Sequence, residues 1–309
     1  MKAAVFKKGV LALVIALLSC VGARSQTSVN AVMDVEMPAG SNCAVASFRF
    51  WCPPDLKTIR GIVTLVPGSN GDGRPQVTEP FWQDFARRHD FVLAGCYFKD
   101  KPHDNMNIED YALASGGSGE ALLDAIGKFA AEAKHPEAAQ APLLLWGHSA
   151  GGEFNYEFVC WKPERVLAFV VNKGGYYYTH LAPPAPRQVP GILFVGEKDE
   201  EFRTASVRGL FAVNRRAGAL WTFAVEPNAG HEPGHTREMA AAFFDSVIKS
   251  RLSGDTMVAQ PADTGWSGDL KTFEVNPAAS KPNGPMNAWL PDESAAKRWQ
   301  EFVRGQAVQ

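Results

Sequence analysis

Six short apolar runs, most of them followed by a stretch of helical spacing, constrain this chain more than any other feature. They are residues 62–66, 91–96, 143–146, 166–171, 192–195 and 221–225. Each is rich in β-branched, leucine or aromatic residues, and Gly, Pro or Asn bound them. Runs of that length without polar alternation suit strands buried on both faces. Between them, residues 81–88, 120–133, 206–217 and 237–251 have helical spacing; in the second, Leu122, Ile126, Phe129 and Ala133 share one side. Strand and helix in alternation predict an α/β fold with a mostly parallel central sheet and helices on both faces. Residues 44–51 read as an earlier strand that Pro53-Pro54 ends, with an edge strand at 32–37 before it.

The rhythm breaks at both ends. Lys2, Lys7 and Lys8 precede an apolar run at 10–18, and Ser19, Gly22, Ala23 and Ser25 follow. That order predicts a signal peptide over residues 1–25 and an exported protein; the alternative is a lipid anchor at Cys20. The run is too short to span a bilayer, which needs about 20 apolar residues. Residues 26–251 then form the α/β domain. Residues 252–309 are read as an extension packed on it, with a short strand at 271–275 and a last helix capped by Asp292 that buries Ala296, Trp299, Phe302 and Val303. A net charge of −2 with no basic cluster beyond the leader gives no footprint for nucleic acid. Export permits disulfides among Cys43, Cys52, Cys96 and Cys160; buried free thiols are the other reading.

The chemistry begins at Gly147-His148-Ser149-Ala150-Gly151-Gly152, which joins an apolar run to a helical stretch. A serine between glycines at a strand-to-helix turn is a nucleophile elbow: the strained turn lifts the hydroxyl clear of the sheet. The helix dipole behind it favours developing negative charge. A serine needs a base, and the base needs a carboxylate to orient it, in the order Ser, acid, His. Asp199 follows the run at 192–195, with Glu197 and Glu200 as rivals; His231 follows the run at 221–225, with His235 as rival. The Ala150 N–H and the Ser69 N–H, in the loop Pro67-Gly68-Ser69-Asn70-Gly71-Asp72-Gly73, are the expected oxyanion donors, with Asn70 as the rival to Ser69. Asn70, His148, Tyr176 and Tyr177 are the expected substrate contacts. His231-Glu232-Pro233-Gly234-His235 also matches the zinc-peptidase spacing. Pro233-Gly234 cannot support the regular helix that spacing requires, so no metal is expected, and no organic cofactor.

The elbow at Ser149, with Asp199 and His231 in order, resembles the α/β-hydrolase superfamily. The strand closed by Pro53-Pro54 and the Val66-Pro67-Gly68 turn resemble its secreted esterases, polyhydroxybutyrate-depolymerase-like and feruloyl-esterase-like. The resemblance implies a carboxylic ester hydrolase working through an acyl-enzyme on a small-molecule or polymeric ester. The chain carries Pro67-Gly68 where many relatives carry His-Gly, and residues 172–191 are too few for a large lid. The same residues would serve a peptidase or an acyltransferase. A non-catalytic exported binding protein is the alternative from another class, and it would need none of the three.

Overall fold

The computed structural model describes Met1 and residues 32–104, 108–260, 264–278 and 286–307. Apart from Met1, the expected leader, Cys20 included, lies outside the described residues. The strands are β1 (Val32–Met37), β2 (Val45–Trp51), β3 (Gly61–Val66), β4 (Phe91–Lys99), β5 (Leu143–Gly147), β6 (Val166–Asn172), β7 (Gly191–Gly196) and β8 (Trp221–Glu226). They form one eight-stranded sheet in the order β1-β2-β4-β3-β5-β6-β7-β8. β1 and β2 pair antiparallel, as do β2 and β4; every pairing from β4 through β3 to β8 is parallel. All six apolar runs became strands of this sheet, and residues 32–37 and 44–51 its antiparallel edge.

Helices cover both faces: α1 (Pro80–His89), α2 (Ser118–Glu132), α3 (Ala150–Trp161), the short α4 (Pro184–Arg187), α5 (Glu201–Arg216) and α6 (Thr236–Arg251). Two cores result, because neighbouring residues of a buried strand point to opposite faces. Ile62 and Val66 join Leu122, Phe129, Phe154 and Phe211 of α2, α3 and α5 on one side. Val63 and Leu65 join Trp82, Phe85, Phe243 and Phe244 of α1 and α6 on the other. Helix α5 begins at Glu201, five residues before the expected start, since its polar first turn shows no apolar stripe in the sequence.

After α6 come the two-residue strands β9 (Leu252–Ser253) and β10 (Thr256–Met257). A small antiparallel sheet follows, β11 (Trp266–Gly268), β12 (Val275–Pro277) and β13 (Ala288–Leu290), then α7 (Glu293–Val303). The strand expected at 271–275 is corrected: Asp269 Oδ1 accepts from the Lys271 and Thr272 N–H groups at 2.8 and 2.9 Å, bending the chain into a turn. Pairing starts only at Val275. Asp292 caps α7 by accepting from the Ala295 N–H at 2.8 Å. Trp299 is fully buried and donates its indole N–H to the Phe223 carbonyl of β8 at 2.9 Å. The Thr222 hydroxyl donates to the Trp289 carbonyl. Cys43, Cys52, Cys96 and Cys160 all carry free thiols. Among the described residues, no helix is long and apolar enough to cross a membrane.

Candidate active site

The carboxyl ends of β3, β5, β6, β7 and β8 converge on one rim, and the turn after β5 sets its geometry. Ser149 sits there at φ 53° and ψ −125°, in the left-handed region that costs an ordinary side chain of order 1–3 kcal/mol. The flanking glycines make the turn possible. A Cβ on Gly147 would lie 2.3 Å from the Gly151 carbonyl oxygen, and one on Gly151 would lie 2.1 Å from that of Val66. The Ser149 N–H donates to the Asn172 carbonyl at 2.8 Å, and that of His148 to Val66 at 3.2 Å. The turn is thus tied to both neighbouring strands.

Three side chains distant in sequence meet at this turn. His231 Nε2 lies 3.0 Å from Ser149 Oγ, and His231 Nδ1 lies 3.0 Å from Asp199 Oδ2. The Asp199 side chain is 1% exposed and that of His231 35%, so the carboxylate is sheltered while the imidazole reaches solvent. Asp199 Oδ1 accepts from the Glu200 N–H at 2.7 Å, which leaves Oδ2 for the imidazole. The rival carboxylates are engaged elsewhere. Glu197 accepts from the Asn228 N–H at 2.7 Å, and Glu200 pairs with Arg203 at 2.9 Å. His235 is the exposed residue preceding α6, and its N–H donates to Glu226. Residues 231–235 are not helical, and the His231 ring is already held between Asp199 and Ser149. The one-faced histidine pair of a zinc peptidase therefore does not form. No group of three or more potential metal ligands occurs among the described residues.

Ala150 is the first residue of α3, and among the described residues neither its N–H nor that of Ser69 has an intramolecular acceptor. The loop bearing Ser69 lies against the elbow: a Cβ on Gly68 would sit 3.4 Å from Ser149 Cβ. Asn70 is at φ 52° and shapes that loop. Its N–H donates to the Tyr111 hydroxyl at 3.1 Å, and its Oδ1 accepts from the Asp100 N–H at 2.8 Å. All four expected substrate contacts are half-buried, and Tyr176 lies tilted against Phe202 with centroids 5.6 Å apart. Tyr177 turns inward onto Tyr156, 5.3 Å between centroids, and its hydroxyl is buried. His148 turns toward the His231 loop and donates Nε2–H to the His231 carbonyl at 2.6 Å. Burial holds its pKa down to about 4, so the ring is neutral and acts as a plain donor.

Sequence reasoning missed a layer of buried polar groups beneath the site. Lys173, fully buried at φ 58°, donates to Glu226 Oε2 at 2.7 Å and to the Glu232 carbonyl at 2.6 Å. Glu153 and Glu157, one turn apart on α3, accept from the loop after β6. Glu153 takes the Gly175 and Tyr176 N–H groups at 2.6 and 3.0 Å, and Glu157 takes those of Tyr178 and Thr179 at 2.8 and 2.9 Å. Burial pushes the Glu153 carboxyl up to about 7 despite those donors. The available signal was the polar pair Asn172-Lys173 ending an apolar strand, and two glutamates spaced four apart after the elbow.

The strand order, the parallel pairing from β4 to β8 and the serine at the turn after β5 together define the α/β-hydrolase fold. Among solved structures, the chain is similar to a poly(3-hydroxybutyrate) depolymerase from Bordetella parapertussis (TM-score 0.50, 17% identity, 67% of this chain and 85% of that one). It is also similar to poly(aspartic acid) hydrolase-1 from Sphingomonas sp. KT-1 (TM-score 0.52, 14% identity, 68% and 97%). At such identities the likeness is one of fold. No family model matches the sequence, and no curated protein does.

Proposed function

We propose that this protein is a serine hydrolase that cleaves carboxylic esters through an acyl-enzyme. The observation that carries the reading is the unbroken relay from Asp199 through His231 to Ser149, with both hydrogen bonds at 3.0 Å. In the proposed reaction Ser149 Oγ attacks the ester carbonyl carbon while His231 Nε2 takes its proton. Asp199 holds the Nδ1–H tautomer and stabilises the imidazolium that forms. In this reading the Ala150 and Ser69 N–H groups, free of intramolecular acceptors among the described residues, receive the oxyanion. His231 returns the proton to the leaving alcohol; water then enters by the same relay and frees the acid. The names of both structural neighbours denote hydrolases of polymers, which supports hydrolysis over transfer to another acceptor.

Labelling with a fluorophosphonate probe tests the nucleophile: the wild type is expected to label and Ser149→Ala is not. Equal labelling of both, or of neither, overturns the assignment. A p-nitrophenyl ester panel of increasing acyl length then reads the pocket. The leader-like residues 1–25 support an exported protein, and a mature chain beginning at Gln26 by mass spectrometry is the expected outcome.

A further inference from the structure

The loop that carries His231 is held by its main-chain oxygens, and three successive ones are taken by three different side chains. His148 Nε2–H donates to the carbonyl of His231 at 2.6 Å, Lys173 Nζ to that of Glu232 at 2.6 Å, and Asn172 Nδ2 to that of Pro233 at 3.1 Å. The donors come from the elbow and from the end of β6. The loop is closed on its far side as well, where Glu226 Oε1 accepts from the His235 N–H at 2.6 Å while Oε2 binds Lys173. We propose that His148, Asn172 and Lys173 are positioning residues, which set the direction from which the His231 imidazole meets Ser149. This rests on the triad reading above.

The physical case has two parts. An imidazole has only two side-chain torsions, so with the backbone at residue 231 fixed by three consecutive carbonyls few ring positions remain, and the Asp199 contact selects one. His148 is also the chain neighbour of Ser149, so its hydrogen bond links the backbone beside the nucleophile to the backbone of the base. The two rings lie 5.1 Å apart. The buried Lys173–Glu226 pair needs a reason beyond stability, since well-packed apolar residues often serve as well as a buried ion pair. Here both partners spend hydrogen bonds on the two ends of one loop.

The test compares His148→Leu, which removes the donor, with His148→Gln, whose amide nitrogen reaches about as far. Two readouts are taken. One is the low-field proton resonance of His231 Nδ1–H, which reports the Asp199 contact without turnover. The other is kcat and KM for p-nitrophenyl acetate, per site titrated with fluorophosphonate. Misplacing a catalytic group by an ångström costs roughly 100-fold. His148→Leu is therefore expected to lose roughly 10- to 100-fold in kcat per site, with KM within about twofold and the resonance broadened. His148→Gln restores the resonance and most of kcat. A leucine variant that keeps both, or a glutamine variant no better than leucine, overturns the proposal. If His148→Leu does not fold, the double variant Lys173→Met/Glu226→Gln removes the Glu232 anchor at nearly constant volume and answers by the same readouts. A wild type that neither labels nor hydrolyses would sink the esterase reading, while the resonance still decides the positioning claim.

Discussion

Glu153→Gln is expected to stabilise the protein, and to do so more as pH rises. The carboxyl is 2% exposed, its Oε1 accepts two backbone N–H groups and its Oε2 is buried without a partner among the described residues. Glutamine keeps an accepting oxygen and removes the charge; its amide nitrogen takes the place of the unpartnered Oε2, a cost that does not vary with pH. The folded pKa is raised from 4.5 to about 7, so between those values the folded state holds a proton that the unfolded state has released. Stability is therefore complete below pH 4.5 and is lost as pH climbs through 7. Each pH unit of that interval is worth about 1.4 kcal/mol. The variant's advantage over wild type should thus be about 2–3 kcal/mol larger at pH 8 than at pH 5. Urea unfolding followed by tryptophan fluorescence at the two pH values measures it. An advantage of equal size at both, or a loss at pH 8, would refute the claim that this carboxylate is ionised at a cost. His148 works in the opposite sense. Its folded pKa is depressed, so its contribution is present above 6.5 and fades as pH falls toward 4. With Glu153 neutralised, that slope stands out in the variant's profile.

Asp199→Asn is expected to keep the fold and lower kcat by roughly 10³–10⁴-fold, because the amide favours the wrong imidazole tautomer; ester turnover per titrated site checks it. Lys173→Met alone strands the Glu226 carboxylate and should cost roughly 3–5 kcal/mol in urea unfolding, most of which the added Glu226→Gln recovers. Trp299→Ala should cost roughly 3–5 kcal/mol by the same assay, since it empties a fully buried indole site and leaves the Phe223 carbonyl without its donor.

What could be read from residues alone was whatever local pattern decides. A strand buried on both faces announces itself by an unbroken apolar run, so β3 to β8 were visible. The elbow was visible because only glycine tolerates the approaches at 147 and 151. Asp199 and His231 followed from strand order, since strand ends that share a rim bring their loops together. The other polar contacts depend on which loop passes which strand end, and no periodicity encodes that. His148 and His231 are 83 residues apart, and Lys173 and Glu226 are 53 apart. His148 and Tyr177 were expected at the substrate because they neighbour the elbow and its facing loop in sequence. In the fold His148 binds the His231 carbonyl and Tyr177 packs on Tyr156. The small sheet of β11 to β13 was illegible for a related reason: three-residue strands are too short for an alternation to show.

The Trp299 indole on the Phe223 carbonyl has a bearing on what can add to the edge of the sheet. β8 is the terminal strand of a mostly parallel sheet, and its unshared main-chain groups are a template on which another polypeptide can add a strand. The carboxy-terminal segment plugs one of those groups with an indole and lays β13 and α7 alongside. Without that cover the same rim would ride on a scaffold with an open edge, a feature associated with aggregation.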